Sequence, residues 1–286
     1  MKVARVLLPS SSRPRVALER DGALYDVESL ERRLGASVEV PCAASDFHGR
    51  VVAMGLAGLR ELDAALLRGL RPAEARVDRG MPRRLAPCET DRAALVHVDV
   101  PAYPSEAPSV RLGWGRGLAG DGELVGLPRE ELRPKVELRL AMVLGEDVHN
   151  VDFRDARAAI LGYALHLDWR ALSDEARAPQ STTRGLVGQF GPHLVAADAV
   201  GRLPSLRAEV VVRERSHALG PLDRLALGPE LALVHASRRF ALVAGDVVTW
   251  GPLATDGVLD ELAFHDRVEF AVERIGTLRG AAVLLR

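Results

Sequence analysis

At 286 residues the chain is long enough to bury one large core, or a large core beside a small one. Hydrophobic residues make up 48% and charged residues 27%, the proportions of a folded globular protein. With 38 basic against 39 acidic side chains and no basic stripe, the charge excludes a polyanion-binding surface, so no nucleic-acid partner is expected. No stretch nears the ~20 apolar residues of a membrane span, so no membrane partner is expected either. The N-terminal apolar run is too short for a signal peptide, and Cys42 and Cys88 lack metal or disulfide spacing. The expectation is a soluble cytoplasmic protein with reduced thiols.

Taken in chain order, the pattern predicts strands at 2–9, 15–20 and 23–27, the last two joined by the Asp21-Gly22 turn. A short helix opens at Asp26, and a longer one spans 51–70, apolar at helical spacing with Glu61 and Asp63 outward. Residues 71–90 are rich in Pro and Arg and have no period. This predicts a small N-terminal domain over 1–75, a linker over 76–94 and a larger domain over 95–286. In VELRLAMVL (136–144), Val136, Leu138, Leu140, Met142 and Leu144 face one way and Glu137, Arg139, Ala141 and Val143 the other. Asp152 can cap a helix over 153–160, with Asp155 at the position of a capping-box acid. The strand ILGYALHLDW (160–169) sets Leu161, Tyr163, Leu165, Leu167 and Trp169 against Ile160, Gly162, Ala164, His166 and Asp168. Further strands are predicted at 206–213, 246–250, 267–273 and 281–285, and a helix near 229–239 behind Gly228-Pro229. The class is α+β, mainly β, without the strand–helix alternation of a dinucleotide-binding sheet.

Two strands thus place Glu137 with Arg139, and His166 with Asp168, opposite purely apolar faces. Charged residues on such a face are ordinarily solvated, and a Glu–Arg pair is ordinarily a salt bridge. The small Ala141, Gly162 and Ala164 share that face, however, and leave room for a pocket. His48, His149, His193, His217, His235 and His265 have no ligand spacing, and neither a nucleophile elbow nor a phosphate loop is present.

VELRLAMVLGEDV, then ILGYALHLDWRALSD and GQFGPHLV, resemble the fumarylacetoacetate hydrolase family in order and spacing. SVRLGWGRGLAGDGELVGLP upstream, and Gly245-Asp246-Val-Val and Ile275-Gly276-Thr277-Leu278-Arg279 downstream, extend the resemblance over residues 95–286. It implies a mixed β-sandwich roll with a small N-terminal α/β module, assembled as a homodimer. It also implies catalytic activity on a small oxo- or enol-carboxylate, by C–C hydrolysis, decarboxylation or tautomerisation.

Members of that family hold Mg²⁺ or Mn²⁺ with two glutamates of a Glu-x-Glu strand and an aspartate of the next. Glu137 matches the first glutamate and Asp168 the aspartate, but Arg139 stands where the second glutamate belongs. A guanidinium repels a cation, so no cofactor is expected, with Mg or Mn at Glu137 and Asp168 as the alternative. The family's lysine before Gly-Pro has no counterpart, Arg184 being the basic residue there. The lid helix shrinks to HVDVPAYPSEAPSVR, with His97 and Glu106 as remnants of its His and Glu. Thr249-Trp250-Gly251-Pro252 replaces a Thr-Gly-Thr-Pro run, which sets an indole on the substrate side. The resemblance therefore implies a catalytic group of Glu137, Arg139, His166 and Asp168. In it Arg139 supplies the charge in fixed form and His166 carries a proton, while Arg170, Arg184 and Trp250 bind a carboxylate. Two rivals stay open: a catalytically silent relative serving as a binding or partner protein, and a Mg²⁺-dependent hydrolase with a modified ligand set.

Overall fold

The computed structural model describes residues 1–34, 48–69, 71, 73–77, 81–89, 93–101, 103, 106–113, 118–127, 133–172, 188–222, 225–253, 255 and 257–284. The chain opens with β1 (Lys2–Leu7), β2 (Arg15–Arg20) and β3 (Ala23–Asp26), followed by α1 (Val27–Leu34) and α2 (Ala53–Leu67). Asp21 at φ 50° and Gly22 at φ 75° supply the positive dihedrals that a two-residue hairpin turn needs. β4 (Arg83–Leu85), β5 (Leu95–Asp99), β6 (Ser109–Gly113) and β7 (Leu124–Leu127) lead to the long β8 (Arg133–Leu144). α3 (Phe153–Ala159) carries the chain into β9 (Ile160–Leu172), then β10 (Gly188–Ala196), α4 (Ala197–Val200), β11 (Arg207–Val212) and β12 (Arg215–Pro221). α5 (Pro229–Ser237), β13 (Val247–Gly251), β14 (Val268–Val272) and β15 (Gly276–Leu284) complete the described elements. The Asp152 carboxylate caps α3 by accepting from the Asp155 N–H at 2.9 Å, as its position in the sequence predicts.

The strands form two mixed sheets. The larger has the order β3-β2-β1-β10-β9-β8-β13-β5-β6, with β4 on β1; the smaller runs β12-β11-β14-β15-β7. β1 pairs antiparallel with β10, and β4, inside the expected linker, pairs with β1, so the N-terminal strands continue the large sheet. The main core lies between the sheets, where Leu138, Leu140, Met142, Leu165 and Trp169 meet Val210, Phe270 and Leu278. On the opposite face of the large sheet, Leu59, Leu62 and Leu66 of α2 cluster with Ala141, Val143, Ala164 and Phe190. Each leucine so buried contributes about 1.5–3 kcal/mol.

The alternation of β8 follows the predicted pattern, but that of β9 departs from it at one end. A register shift between Val143 and Leu144 pairs Val143 with Gly162 and Leu144 with Ile160. The extra residue turns Leu161 onto the α2 side with Ala164, while Ile160 joins the main core. β15 also begins five residues before its predicted start at 281, because Gly276 to Gly280 pair with β14. Among the described residues no helix is long and apolar enough to cross a membrane.

Candidate functional site

The site lies on the α2 side of the large sheet, in the rows beyond Ala141 and Ala164. Pairing of β8 with β9 puts Glu137 opposite Asp168 and Arg139 opposite His166. β13 pairs parallel with β5, and β5 antiparallel with β6, which aligns Thr249, His97 and Arg111 in one row and brings Asp99 to the same face. Gly251 leaves the space that Arg139 fills: a Cβ there would sit 3.2 Å from the arginine Cγ, and φ 152° independently favours glycine.

Arg139 is 1% exposed and ringed by carboxylates. Its Nη2 donates to Glu137 Oε2 at 2.7 Å and to Asp99 Oδ1, and its Nε lies 3.5 Å from Asp168 Oδ2. Burial works against the cation, yet Glu137, Asp99 and Asp168 together hold its pKa above the ordinary guanidinium value. Its Nη1 is buried and has no hydrogen-bond partner among the described residues. Arg111, nearer the surface, bridges Asp99 at 3.3 Å and Asp168 at 3.4 Å. Three carboxylates against two guanidiniums leave the cluster at a formal −1.

Two buried imidazoles adjoin these charges. His166 Nδ1 donates to the Gln189 carbonyl at 3.0 Å, so Nε2 carries the lone pair, because a carbonyl only accepts. His97 Nδ1 lies 2.7 Å from Thr249 Oγ1, and the two rings stack with centroids 5.8 Å apart. Burial pushes His166 down to about 4 and His97 well below the ordinary value, against the opposing pull of Asp168. Both are uncharged at neutral pH, so His166 meets the requirement of a proton acceptor but is a weak one. One ligand atom each from His97, His166 and Asp168 lie within 4.8 Å of one another.

The structure thus brings Glu137, Arg139, His166 and Asp168 together. It also adds Asp99 and Arg111, which the sequence did not single out, and moves His97 from lid remnant to a strand of the site. Nothing in the alternation of β5 marks Asp99; only its pairing with β13, about 150 residues away, does so. Trp250 is a correction. It pairs with Leu140 rather than Arg139, so its indole points into the main core, 1% exposed and edge-on to Tyr163, on the sheet face opposite the cluster. Glu106 is exposed in the turn after β5. The Arg170 side chain and the whole of Arg184 lie outside the described residues.

A family model, fumarylacetoacetate (FAA) hydrolase C-terminal, matches residues 85–283. Among curated proteins, a maleylpyruvate hydrolase of Aquipseudomonas alcaligenes is 29% identical over 165 residues, 56% of this chain and 55% of that protein, so the chain spans about half of that relative's length. Among solved structures, maleylpyruvate hydrolase from Sphingobium sp. SYK-6, in complex with manganese(II) and pyruvate, superposes with a TM-score of 0.75 at 19% identity, covering 100% of both chains. A fumarylacetoacetate hydrolase from Exiguobacterium antarcticum gives 0.71 at 17%, again with 100% of both covered. At these identities the structural likeness shows the fold.

Proposed function

The chain belongs to the fumarylacetoacetate hydrolase family, and from that premise we propose that it acts on a small oxo- or enol-carboxylate through an altered site centred on Arg139. The observation that carries this reading is the Arg139 guanidinium, buried between carboxylates with one nitrogen, Nη1, left without a hydrogen-bond partner among the described residues. An unmatched buried donor is costly, and a substrate oxygen that becomes negative in the transition state would satisfy it. Arg111, a quarter exposed, would take the substrate carboxylate at the mouth, and neutral His166 would accept a proton at Nε2.

The family's Mg²⁺ or Mn²⁺ does not fit between Glu137 and Asp168 in this chain. A cation there would share its space with a guanidinium already 2.7 Å from the one carboxylate and 3.5 Å from the other. No step of the proposed reaction runs through such an ion.

The test is a thermal-shift and turnover screen with oxalate, oxaloacetate and acylpyruvates in the presence of EDTA. A ligand at 100 times its Kd stabilises by about 2.7 kcal/mol, enough to move the melt by several degrees. The shift is expected in the wild type and lost in Arg139→Gln. If no ligand shifts the melt and none is turned over, the chain is instead a silent member of its family that retains the fold for binding.

A further inference from the structure

We propose that His97, His166 and Asp168 form a site for a nitrogen-preferring divalent transition metal such as Zn²⁺ or Co²⁺, beside the Arg139 guanidinium and not in its place. One ligand atom from each of these buried residues lies within 4.8 Å of the other two. Tetrahedral bonds of about 2.0–2.2 Å separate ligand atoms by about 3.4 Å, so small side-chain adjustments close the set. Both imidazoles are held as ligands are held. The Gln189 carbonyl fixes the His166 proton on Nδ1 and aims the Nε2 lone pair, and Thr249 Oγ1 anchors His97 Nδ1. Such outer partners orient metal-binding histidines, and Asp168 has an outer partner too, accepting from Arg111 Nη2 at 3.4 Å with the Arg139 guanidinium ion-paired beside it.

The backbone makes way for these rings. A Cβ on Gly113 would sit 2.2 Å from His97 Nε2, and one on Gly188 2.6 Å from His166 Cε1. Charge points the same way. The cluster stands at a formal −1, and a bound divalent ion would bring it to +1, the sign that suits a carboxylate substrate beside it. Two imidazole nitrogens and one oxygen suit Zn²⁺ or Co²⁺, while Mg²⁺ requires oxygen donors. Neither Glu137 nor Arg139 is a ligand, so the inference stands apart from the guanidinium reading except at His166, where a bound metal would take the Nε2 lone pair that accepts a proton in the metal-free form.

The full chain, stripped with EDTA and desalted, is titrated with Co²⁺ and followed by visible absorption. Saturable d–d bands at one Co²⁺ per chain are expected, displaced by stoichiometric Zn²⁺ and unaffected by excess Mg²⁺. His97→Gln and His166→Gln, each verified as folded by near-ultraviolet circular dichroism, are expected to bind about 100-fold more weakly or worse. Arg139→Gln keeps the Co²⁺ bands while losing carboxylate binding, so the two readings fail separately. The site is overturned if the folded wild-type chain gives no Co²⁺ bands, or if the folded histidine variants bind as tightly as the wild type.

Discussion

Arg139 concentrates the physics of this site in one side chain. A lone guanidinium in a protein interior carries a desolvation penalty of several kcal/mol, which the attraction of Glu137, Asp99 and Asp168 offsets. Removing it as Arg139→Ala leaves carboxylates crowded without their main counter-charge and is expected to cost about 3–5 kcal/mol, read as a lower denaturant midpoint. Arg139→Glu goes further, because it adds a carboxylate and recreates the Glu-x-Glu pattern. That variant is expected to melt well below the wild type in EDTA and to regain several degrees in millimolar Mg²⁺, while the wild type shows no such response. A melt of Arg139→Glu that is indifferent to Mg²⁺ would mean that the pocket has diverged beyond this single charge. The arginine was legible in the sequence, since strand alternation alone set it beside Glu137. Its partner Asp99 was not, because a contact across a parallel β5–β13 pair leaves no local periodicity, and Arg111 joins the cluster only through the pairing of β6 with β5.

At the level of elements, what could be read in advance was whatever the chain specifies locally. VELRLAMVL declared both of its faces, the Asp21-Gly22 turn its hairpin, and Asp152 its helix. The β9 bulge was hidden, because an inserted residue is set by the partner strand and turns Leu161 across the sheet without altering composition. Trp250 was misread for a related reason: resemblance gives a position along the strand, whereas pairing with β8 decides the face. Gln189 on β10 also acquired its role only through packing. Its Oε1 accepts from Trp169 Nε1 at 2.7 Å, and its Nε2 donates to the Glu123 carbonyl and to Arg279 O at 3.3 Å, so it ties the large sheet to the small one. A Cβ on Gly280 would lie 1.7 Å from Gln189 Oε1, so the facing strand is shaped around this amide. Gln189→Leu keeps similar bulk but orphans a buried indole N–H and the Glu123 carbonyl, while Arg279 O keeps the Gly122 N–H at 2.9 Å, and is expected to cost about 3 kcal/mol. Thermal melting should fall by about 6–10 °C; a loss under about 2 °C would show that the amide is not a structural tie.

For the molecule as a whole, the buried histidines couple the fold to acidity. His97 and His166 in the site are held below their ordinary pKa chiefly by burial, and so is His193, whose Nε2 donates to the Ile275 carbonyl at 2.7 Å. On unfolding each imidazole returns to about 6.5, so below that pH the unfolded chain binds protons that the folded chain refuses. Stability is therefore full above about pH 7, falls as the pH drops through 6.5, and goes on falling towards the folded value of about 4 for His166. At about 1.4 kcal/mol per pKa unit, His166 alone accounts for on the order of 3 kcal/mol over that window. Carboxylates such as Glu19, held low by Arg84 against the raising effect of burial, reinforce the same trend as the pH approaches 4. Denaturant midpoints measured from pH 8 to pH 4.5 are expected to be level at first and then to decline steadily below about 6.5. His166→Gln has no imidazole to titrate at that position, so its curve should decline less steeply than that of the wild type, whatever its stability at pH 8. Equal slopes in the two proteins would place the acid sensitivity elsewhere. A wild-type midpoint that stays level down to pH 4.5 would mean that these imidazoles take up protons without unfolding, against the burial that defines the site.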